Sequence, residues 1–228
     1  MRAYVVSLAR RPERLAAFQA HFAETGLSRC IDAEALVAFD GSQLEIEPLK
    51  PRISAWNLAN LNESRLRNIV GCALSHLDVW RRIGEQTEPM IVFEDDARLA
   101  SGIDSSLVAS ALNNLPHDAD LVWLNHYNYA ARAGVGSRLR RKFAQLTGSK
   151  SRPGKVTFSS MPDMLTTAEA YAITPAYGRR LVSEIENDLG AIDRHLQLVN
   201  SRTASKVYQT DPPLFSQADR TDSDTGGQ

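Results

Sequence analysis

Short apolar segments alternate with segments of helical periodicity through the first half of the chain, and this alternation constrains the fold more than any other feature. Tyr4–Leu8 is predicted as a buried first strand, and Met90–Phe93 is a continuous apolar run of the kind that lies between two helical layers. Between them, Ser64–Ile83 repeats its apolar residues at helical spacing. Strands and helices that alternate in this way form β-α-β units, whose strands pair in parallel. The sequence therefore predicts an α/β fold with a mostly parallel central sheet flanked by helices.

The other predicted elements follow from the same periodicities and from helix start and stop signals. Pro12 opens a helix that ends at Gly26, and segment 45–62 is a long loop that can hold a short helix. Further strands and helices are expected at Leu36–Phe39, Ile103–Leu115, Asp120–Asn125, Thr167–Ile173, Pro175–Ile185 and from near Asp193 onward. Residues 1–218 are expected to form one domain with a basic insertion near 130–158, followed by a disordered polar tail at 219–228.

Composition and charge disfavour several classes of protein. Hydrophobic residues make up 43% of the chain and charged residues 23%, as in globular domains. A formal net charge of -1 gives no field that would steer the chain to nucleic acid, so no nucleic-acid partner is expected. The apolar runs are too short for a transmembrane helix or a signal sequence, which predicts a cytoplasmic protein. Cys30 and Cys72 are too few for a disulfide scaffold and lack metal-ligand spacing, so both are expected to be buried and reduced.

Three carboxylates, Glu94, Asp95 and Asp96, directly follow the predicted strand Met90–Phe93. Like charges this close raise one another's pKa and cost folding energy unless a cation neutralises them. Mg²⁺ and Mn²⁺ bind carboxylate oxygens together with phosphates, and ligands of open α/β sheets bind beyond the carboxyl ends of the strands. The alternative is an acidic loop that caps the next helix, since acidic residues favour helix N-termini. From these residues alone, the two interpretations are equally good.

Three motifs together resemble glycosyltransferase family 25, the lipopolysaccharide glycosyltransferases related to collagen galactosyltransferases. They are Val6–Arg14, Gly71–His76 and Phe93–Ala97, and they occur in the order of the family. Weaker similarity continues through Asp120–Leu124, Ala168–Ile173 and Ile192–Asp193, so that the resemblance spans residues 3–215. Ser7 stands where the family more commonly has Asn, and the basic stretch 138–155 matches no family motif.

The resemblance implies a GT-A-type scaffold that transfers a hexose with inversion from a nucleotide sugar. It implies UDP-galactose or UDP-glucose as the donor and Mn²⁺ or Mg²⁺ as the ion. The acceptor implied is a lipopolysaccharide, another cell-surface glycan or a lipid-linked oligosaccharide. Asp96 would hold the metal, with Glu94 or Asp95 helping directly, through water or through the ribose. A bound divalent ion stabilises the negative charge that grows on a departing diphosphate.

The resemblance also places the donor beside the first two strands and the helix that contains Gly71–His76. Guanidinium groups suit phosphate, and glycine lets the backbone approach a ligand. Ser75 and His76 point about 100° apart on a helix, so only one of them is expected to face the core and the other to reach the pocket. The expected donor contacts are Ser7, Leu8, Arg10, Arg11, Arg14, Asp40, Gly41, Ser75, His76, Glu94 and Asp95. The alternatives are a solvated helix start for Arg14, an ordinary turn for Asp40–Gly41 and a structural role for His76.

An inverting transfer needs a general base that takes the proton of the acceptor hydroxyl. Asp193, in a stretch that resembles a late family motif, is the first candidate, and Asp163 and Glu169 are its rivals. Asp193 could equally be the N-cap of a helix.

Two further functions compete with an active transferase. A catalytically inactive GT-A-like module could serve in carbohydrate binding or adhesion, although the intact triplet at Glu94–Asp96 argues against it. Phosphotransfer would need a phosphate-binding Gly-x-x-x-x-Gly-Lys-Ser/Thr loop, which the sequence lacks. The basic stretch 138–155 can contact a phosphorylated glycolipid or the inner membrane surface, but solvated loop charge is the commoner explanation.

Overall fold

A computed structural model of the protein describes residues 1–125, 154–160 and 168–218. The strands are β1 (Arg2–Ser7), β2 (Asp32–Val37), β3 (Met90–Glu94), β4 (Ala97–Leu99), β5 (Leu121–Trp123), β6 (Thr157–Ser160), β7 (Ala170–Ile173), β8 (Val207–Asp211) and β9 (Phe215–Gln217). The α-helices are α1 (Pro12–Glu24), α2 (Ala55–Asn60), α3 (Glu63–Gly84), α4 (Ser105–Asn113), α5 (Pro175–Ile185) and α6 (Ile192–Arg202). Short 3₁₀ helices occur at Leu27–Arg29, Gly41–Gln43 and Glu47–Arg52.

Seven of the strands form one sheet in the order β2-β1-β3-β7-β5-β8-β6. β1 pairs in parallel with β2 and β3, and β5 pairs in parallel with β8. β7 runs antiparallel to β3 and β5, and β6 runs antiparallel to β8. Five strands of this sheet therefore point the same way, which confirms the mostly parallel α/β sheet that the sequence predicts. β4 and β9 pair separately as a two-stranded antiparallel sheet.

The residues of β3 alternate between two hydrophobic clusters, one on each face of the sheet. Met90 and Val92 pack into the cluster that contains the apolar faces of α3 and α5. Ile91 and Phe93 pack into the other cluster, together with the α1 residue Phe18. Because both faces of the strand are covered, every position from Met90 to Phe93 is apolar, and this is the run that the sequence shows.

α3 is 22 residues long and connects the sheet's carboxyl edge after β2 to the start of β3. Its N-cap Asn62 accepts a hydrogen bond from the Arg65 amide at 2.9 Å. Its buried face includes Leu66, Val70 and Trp80, which lie at helical spacing, so the predicted helix Ser64–Ile83 is confirmed to within a residue at each end. The first half of α3 consequently lies at the same edge of the sheet as the residues that follow β1 and β3.

Several elements differ from the sequence prediction. β2 begins at Asp32 rather than Leu36, because it is an edge strand on which only Leu36 is buried and which therefore lacks an apolar run. Segment 45–62 holds α2, the short helix that the sequence allows there, and in addition a 3₁₀ helix that is not predicted. β4, β6, β8 and β9 are not predicted from the sequence. Within the three described ranges, no helix combines the length and the apolar character that crossing a membrane requires.

Candidate functional site

β1 and β3 end side by side and bring the residues that follow them to one edge of the sheet. Val6 pairs with Glu94 in the parallel register, so Ser7 and the acidic triplet meet there. β7 runs in the opposite direction and starts at this edge, where the Glu94 amide donates to the Glu169 carbonyl at 2.9 Å. This edge is where an open α/β sheet binds its ligands, and most of the predicted site residues that the structure describes lie at or next to it.

Asp95 is buried and is held by two side chains of the first β-α unit. Ser7 Oγ donates to Asp95 Oδ2 at 2.7 Å, and Arg14 Nη2 lies 2.5 Å from Asp95 Oδ1. Burial raises the pKa of Asp95, whereas the Ser7 hydrogen bond and the Arg14 charge favour its ionised form. Because Ser7 and Arg14 occupy both of its carboxylate oxygens, Asp95 is suited to holding the loop after β3 in place.

Asp96 offers a carboxylate oxygen that the protein leaves unsatisfied. Its Oδ2 lies 3.1 Å from Arg14 Nη2 and accepts a hydrogen bond from Gln217 Nε2 at 3.1 Å. Its Oδ1 is buried and has no hydrogen-bond partner among the described residues, and the residue as a whole is 8% exposed. An unpaired buried carboxylate oxygen is costly, and a cation bound at this position would remove that cost.

Glu94 ends β3 with a side chain that is 30% exposed. Burial, followed by the charges of Asp96 and Asp95, raises the pKa of Glu94 to about 8, and Arg14 opposes this rise. The carboxyl group is therefore held in an environment that disfavours its charge, and a divalent ion beside it would restore the charged form.

Ser75 and His76 are both buried, so the expectation that only one of them faces the core is wrong. Ser75 Oγ accepts from the Phe39 amide at 2.9 Å and donates to the Gly71 carbonyl at 2.7 Å. His76 Nδ1 lies 2.7 Å from the Tyr171 hydroxyl, and burial lowers the pKa of His76 to about 4. The two residues are buried together because α3 is covered on two sides, by the loop after β2 and by β7.

The loop after β2 packs closely on α3. Asp40 caps the 3₁₀ helix by accepting from the Ser42 amide at 2.9 Å, and its Oδ2 accepts from Arg10 Nε at 2.9 Å. Although desolvation opposes ionisation, the hydrogen bonds from Ser42 and the nearby Arg10 lower the pKa of Asp40. A Cβ on Gly41 would lie 2.5 Å from the Arg67 carbonyl oxygen, so glycine is required by this close approach. The turn at Asp40–Gly41 is therefore held by specific contacts with Arg10 and α3, which an ordinary surface turn would not make.

The three arginines after β1 have different surroundings. The Arg14 side chain is 14% exposed and reaches the acidic cluster formed by Glu94, Asp95 and Asp96. The alternative that Arg14 lies in a solvated helix start is therefore wrong. Arg10 pairs with Asp40. Arg11 Nε contacts Glu13 at 2.6 Å at the start of α1, and the Arg11 amide donates to the Leu8 carbonyl at 2.9 Å. Leu8 and Arg11 therefore make contacts local to the start of this helix.

Asp193 lies close enough to the acidic cluster to act on its electrostatics. Burial is the main cause of the raised pKa of both Glu94 and Cys72, and the charge of Asp193 adds to both shifts. Burial also raises the pKa of Asp193 itself. The N-cap of α6 is Ala191, so the N-cap alternative for Asp193 is wrong. The chain therefore supplies a half-buried carboxyl group beside the acidic cluster from a distant part of the sequence.

The other two candidates for the general base are Glu169 and Asp163, and the structure describes only Glu169. Glu169 is buried, and its carboxylate accepts a hydrogen bond from Asn125 Nδ2. Asp163 and residues 138–153 of the basic stretch lie outside the described residues, while Lys155 is described and exposed.

Sequence reasoning missed Gln217, Asn125 and the surroundings of Cys72. Cys72 and Cys30 are partly buried rather than fully buried. The thiol of Cys72, the imidazole of His76 and the carboxylate of Glu94 each offer an atom within 4.8 Å of the other two, a grouping that the spacing of the two cysteines did not indicate. The signal was the separation of four residues between Cys72 and His76, which puts both side chains on one face of a helix. No local signal marks Gln217, which is 121 residues from its partner.

A mostly parallel α/β sheet with carboxylates and a guanidinium at its carboxyl edge defines a protein that can bind a charged ligand there. Residues 1–195 match the model of glycosyltransferase family 25, described as LPS biosynthesis protein. The chain therefore belongs to glycosyltransferase family 25, which confirms the resemblance. The strand order confirms the mostly parallel α/β sheet that the sequence predicts.

Comparisons with individual proteins reach less of the chain or are more distant. A "Glycosyltransferase 25 family member" of Drosophila melanogaster is 29% identical over 102 residues, which cover 42% of this chain and 16% of that relative. A Drosophila β-1,4-galactosyltransferase 7 mutant in complex with manganese, UDP-Gal and xylobiose gives a TM-score of 0.48 at 8% identity, covering 100% of this chain and 75% of that one. Mouse xyloside xylosyltransferase 1 in its apo form gives a TM-score of 0.37 at 9% identity, covering 90% of this chain and 70% of that one.

Proposed function

We propose that this glycosyltransferase moves a hexose, most simply galactose, from a UDP-linked donor to a lipopolysaccharide or another cell-surface glycan. The reaction inverts the anomeric carbon and depends on Mn²⁺ or Mg²⁺. The observation that carries the proposal is the pairing of Asp96, whose Oδ1 is buried without a partner among the described residues, with Glu94, whose pKa is raised to about 8. Both properties are expected of carboxylates that share a divalent ion with a diphosphate.

The donor set fits a hard divalent ion. Asp96 Oδ1 and the Glu94 carboxylate would hold it, while Asp95 is kept in place by Ser7 and Arg14. When bound, the ion supplies positive charge to the departing diphosphate. Arg14, which already spans Asp95 and Asp96, is placed to add a second positive charge to the same phosphates.

Asp193 is the residue that we assign as the general base. The acceptor hydroxyl oxygen bonds to the anomeric carbon while the bond from that carbon to the diphosphate oxygen breaks. The electron pair of the broken bond leaves with UDP, and the hydroxyl proton passes to the Asp193 carboxylate. Burial raises the pKa of Asp193, which makes it a stronger base than an exposed aspartate. Glu169 is less suitable, because it is buried and accepts a hydrogen bond from Asn125.

The acceptor sugar is assigned to the surface beside Asp193. Trp56 of α2 is 55% exposed, and the Arg194 guanidinium carbon lies 5.5 Å from the centroid of its ring. Arg194 directly follows Asp193 in α6, so this aromatic ring lies near the assigned base. An exposed aromatic face with a polar neighbour is typical of small-ligand sites, where it packs against the apolar face of a ligand.

Donor hydrolysis and transfer across a panel of nucleotide sugars, with Mn²⁺ and with EDTA, test the proposal. The wild type should use a UDP-hexose only with the ion, and Asp96→Asn should lose about 100-fold or more in kcat. Asp32→Asn is the matched control, because Asp32 is exposed at the start of β2, at the opposite end of the strands. A wild type that binds UDP but turns over no nucleotide sugar would favour the binding-module alternative. Full activity in EDTA would remove the metal from the proposal.

A further inference from the structure

Cys72 and His76 lie one turn apart on α3, and both side chains approach Glu94 at the end of β3. The sulfur of Cys72, a ring nitrogen of His76 and a carboxylate oxygen of Glu94 all lie within 4.8 Å of one another. His76 Nε2 is 3.5 Å from Glu94 Oε1. The helix and the strand therefore bring a thiol, an imidazole and a carboxylate to one point.

His76 presents an unsatisfied nitrogen to this point. The residue is 1% exposed, and its Nε2 is buried without a hydrogen-bond partner among the described residues. Its other nitrogen, Nδ1, lies 2.7 Å from the Tyr171 hydroxyl, which also accepts from Trp80 Nε1 at 2.9 Å. The Tyr171 oxygen has two lone pairs and can accept from both rings. In the tautomer with the proton on Nδ1, Nε2 is unprotonated and lies 3.5 Å from Glu94 Oε1. An outer hydrogen bond that fixes the ring in this way is the usual companion of a metal-binding histidine.

We propose that Cys72, His76 and Glu94 form a second metal site, selective for Zn²⁺ and similar thiol-binding ions. Zinc takes sulfur, nitrogen and oxygen ligands in tetrahedral geometry, at bond lengths that separate neighbouring ligand atoms by about 3.3–3.6 Å. The distance of 3.5 Å between His76 Nε2 and Glu94 Oε1 lies in this range. The Cys72 sulfur lies within 4.8 Å of the other two ligand atoms, so a small side-chain movement brings it to the same separation. Three protein ligands leave a fourth position open to water or to a ligand.

This site differs in kind from the oxygen site around Asp96. Mg²⁺ and Mn²⁺ prefer carboxylates, water and phosphate, whereas a thiolate with an imidazole selects softer ions. The two sites share Glu94, so Zn²⁺ at Cys72 and His76 takes this carboxylate away from the acidic cluster. Zn²⁺ binding itself does not depend on the proposed transfer, so a failure of that proposal leaves this one standing.

Co²⁺ is the probe for the test, because it replaces Zn²⁺ and reports thiolate ligation by a charge-transfer band in the near ultraviolet. The wild type should show this band together with the intense visible bands of a tetrahedral ion, and Zn²⁺ should displace both. Cys72→Ser should lose the charge-transfer band, whereas Cys30→Ser, which replaces the other cysteine of the chain, should keep it. Tyr171→Phe should weaken binding about 10- to 100-fold, the usual effect of removing an outer-shell partner. Circular dichroism checks that each variant is folded.

Alkylation of the wild type provides a second measurement that needs no variant. Zn²⁺ should slow the reaction of Cys72 with iodoacetamide and leave the rate at Cys30 unchanged, as read by mass spectrometry of the two peptides. Absence of a thiolate band in the wild type, its survival in Cys72→Ser, or equal alkylation rates with and without Zn²⁺ would overturn the proposal.

Discussion

Arg14 carries much of the charge balance at the carboxyl edge of the sheet. The sequence predicts that the acidic triplet needs a cation, and the chain supplies one of its own. Arg14 Nη2 is 2.5 Å from Asp95 and 3.1 Å from Asp96, and all three side chains are largely buried. Arg14 therefore offsets part of the charge of Asp95 and Asp96 without a metal. Asp96 Oδ1 still has no partner among the described residues, and the pKa of Glu94 is raised to about 8. The structure thus divides the triplet into an orienting part and a part suited to an ion.

Arg14→Gln tests this division. Removing one partner of a buried ion pair leaves charge uncompensated, so the free energy of unfolding in EDTA should fall by about 3–5 kcal/mol. Mn²⁺ should then raise the melting temperature of the variant more than that of the wild type, because the ion replaces the lost charge. Urea and thermal unfolding provide both measurements. Arg82→Gln breaks an exposed pair with Asp78 and should cost at most about 0.5 kcal/mol. Equal losses in the two variants would contradict the role given to Arg14.

How far single residues could be predicted depended on how local their partners are. Glu94, Asp95 and Asp96 follow a strong strand signal, so the sequence predicts their place at the sheet edge. Gln217 reaches Asp96 only through the pairing of β4 with β9, two three-residue strands too short to leave a pattern. Cys72 had a usable signal in its spacing from His76. Its third partner, Glu94, becomes visible only when α3 packs against β3.

At the scale of elements, the Gly71–His76 motif fastens α3 to the loop after β2. Ser75 joins this loop to the helix through its hydroxyl, and Gly71 lets the two backbones meet. A Cβ on Gly71 would lie 2.8 Å from the Phe39 carbonyl oxygen and 2.9 Å from the Gly41 amide nitrogen. Both neighbours are backbone atoms, so neither can move away without displacing the corner that carries Asp40.

Gly71→Ala should therefore destabilise the protein by about 1–3 kcal/mol, the usual cost of overpacking. It should also raise the KM for the donor in the proposed reaction, because Asp40 and its partner Arg10 move with the loop. Chemical unfolding and donor titration measure the two effects. Gly154→Ala is the matched control, since a Cβ there meets nothing within 4 Å. If Gly71→Ala matched this control in stability, the close contact would not exist in solution.

α2, within the segment where the sequence allows a short helix, carries the exposed Trp56 that is assigned to the acceptor. Trp56→Ala should raise the acceptor KM about 3- to 10-fold, the range expected for one aromatic contact, and leave the donor KM unchanged. Leu58→Ala on the same helix is the control, because Leu58 is also an exposed apolar residue. Initial rates with each substrate varied in turn separate the two constants. A rise in the donor KM alone would place Trp56 on the wrong side of the site.

Elements were predictable where both faces of a strand or one face of a helix are buried. β3 and α3 meet this condition and were located almost to the residue. β2 does not meet this condition, because its first four residues, Asp-Ala-Glu-Ala, are all exposed at the edge of the sheet. Hydrophobic periodicity arises from burial, so an edge strand that buries few residues shows little hydrophobic periodicity in its sequence.

At the scale of the whole molecule, buried histidines link the fold to pH. Burial lowers the pKa of His21, His76 and His195, three of the five histidines in the chain. A group whose pKa is lower in the folded state takes up its proton first in the unfolded chain as the pH falls. Its contribution to stability is therefore complete above the unfolded pKa of about 6.5 and declines below it. The raised pKa values of Glu94, Asp95 and Asp193 have the opposite sign, because they favour proton uptake by the folded state.

His195→Gln separates these opposing effects, because the acidic residues are common to both proteins and cancel in the difference. His195 is buried on α6, and although Asp188 lies 4.0 Å away and favours the charged ring, burial prevails. The wild type should lose stability relative to the variant as the pH falls from 7 to 5, and the difference should be constant above pH 7. Urea unfolding at half-unit steps of pH measures this difference. His117→Gln, which replaces an exposed histidine, is the control and should track the wild type. A wild type that lost stability relative to the variant as the pH rose would mean that His195 is charged in the folded state, held by Asp188 in spite of its burial.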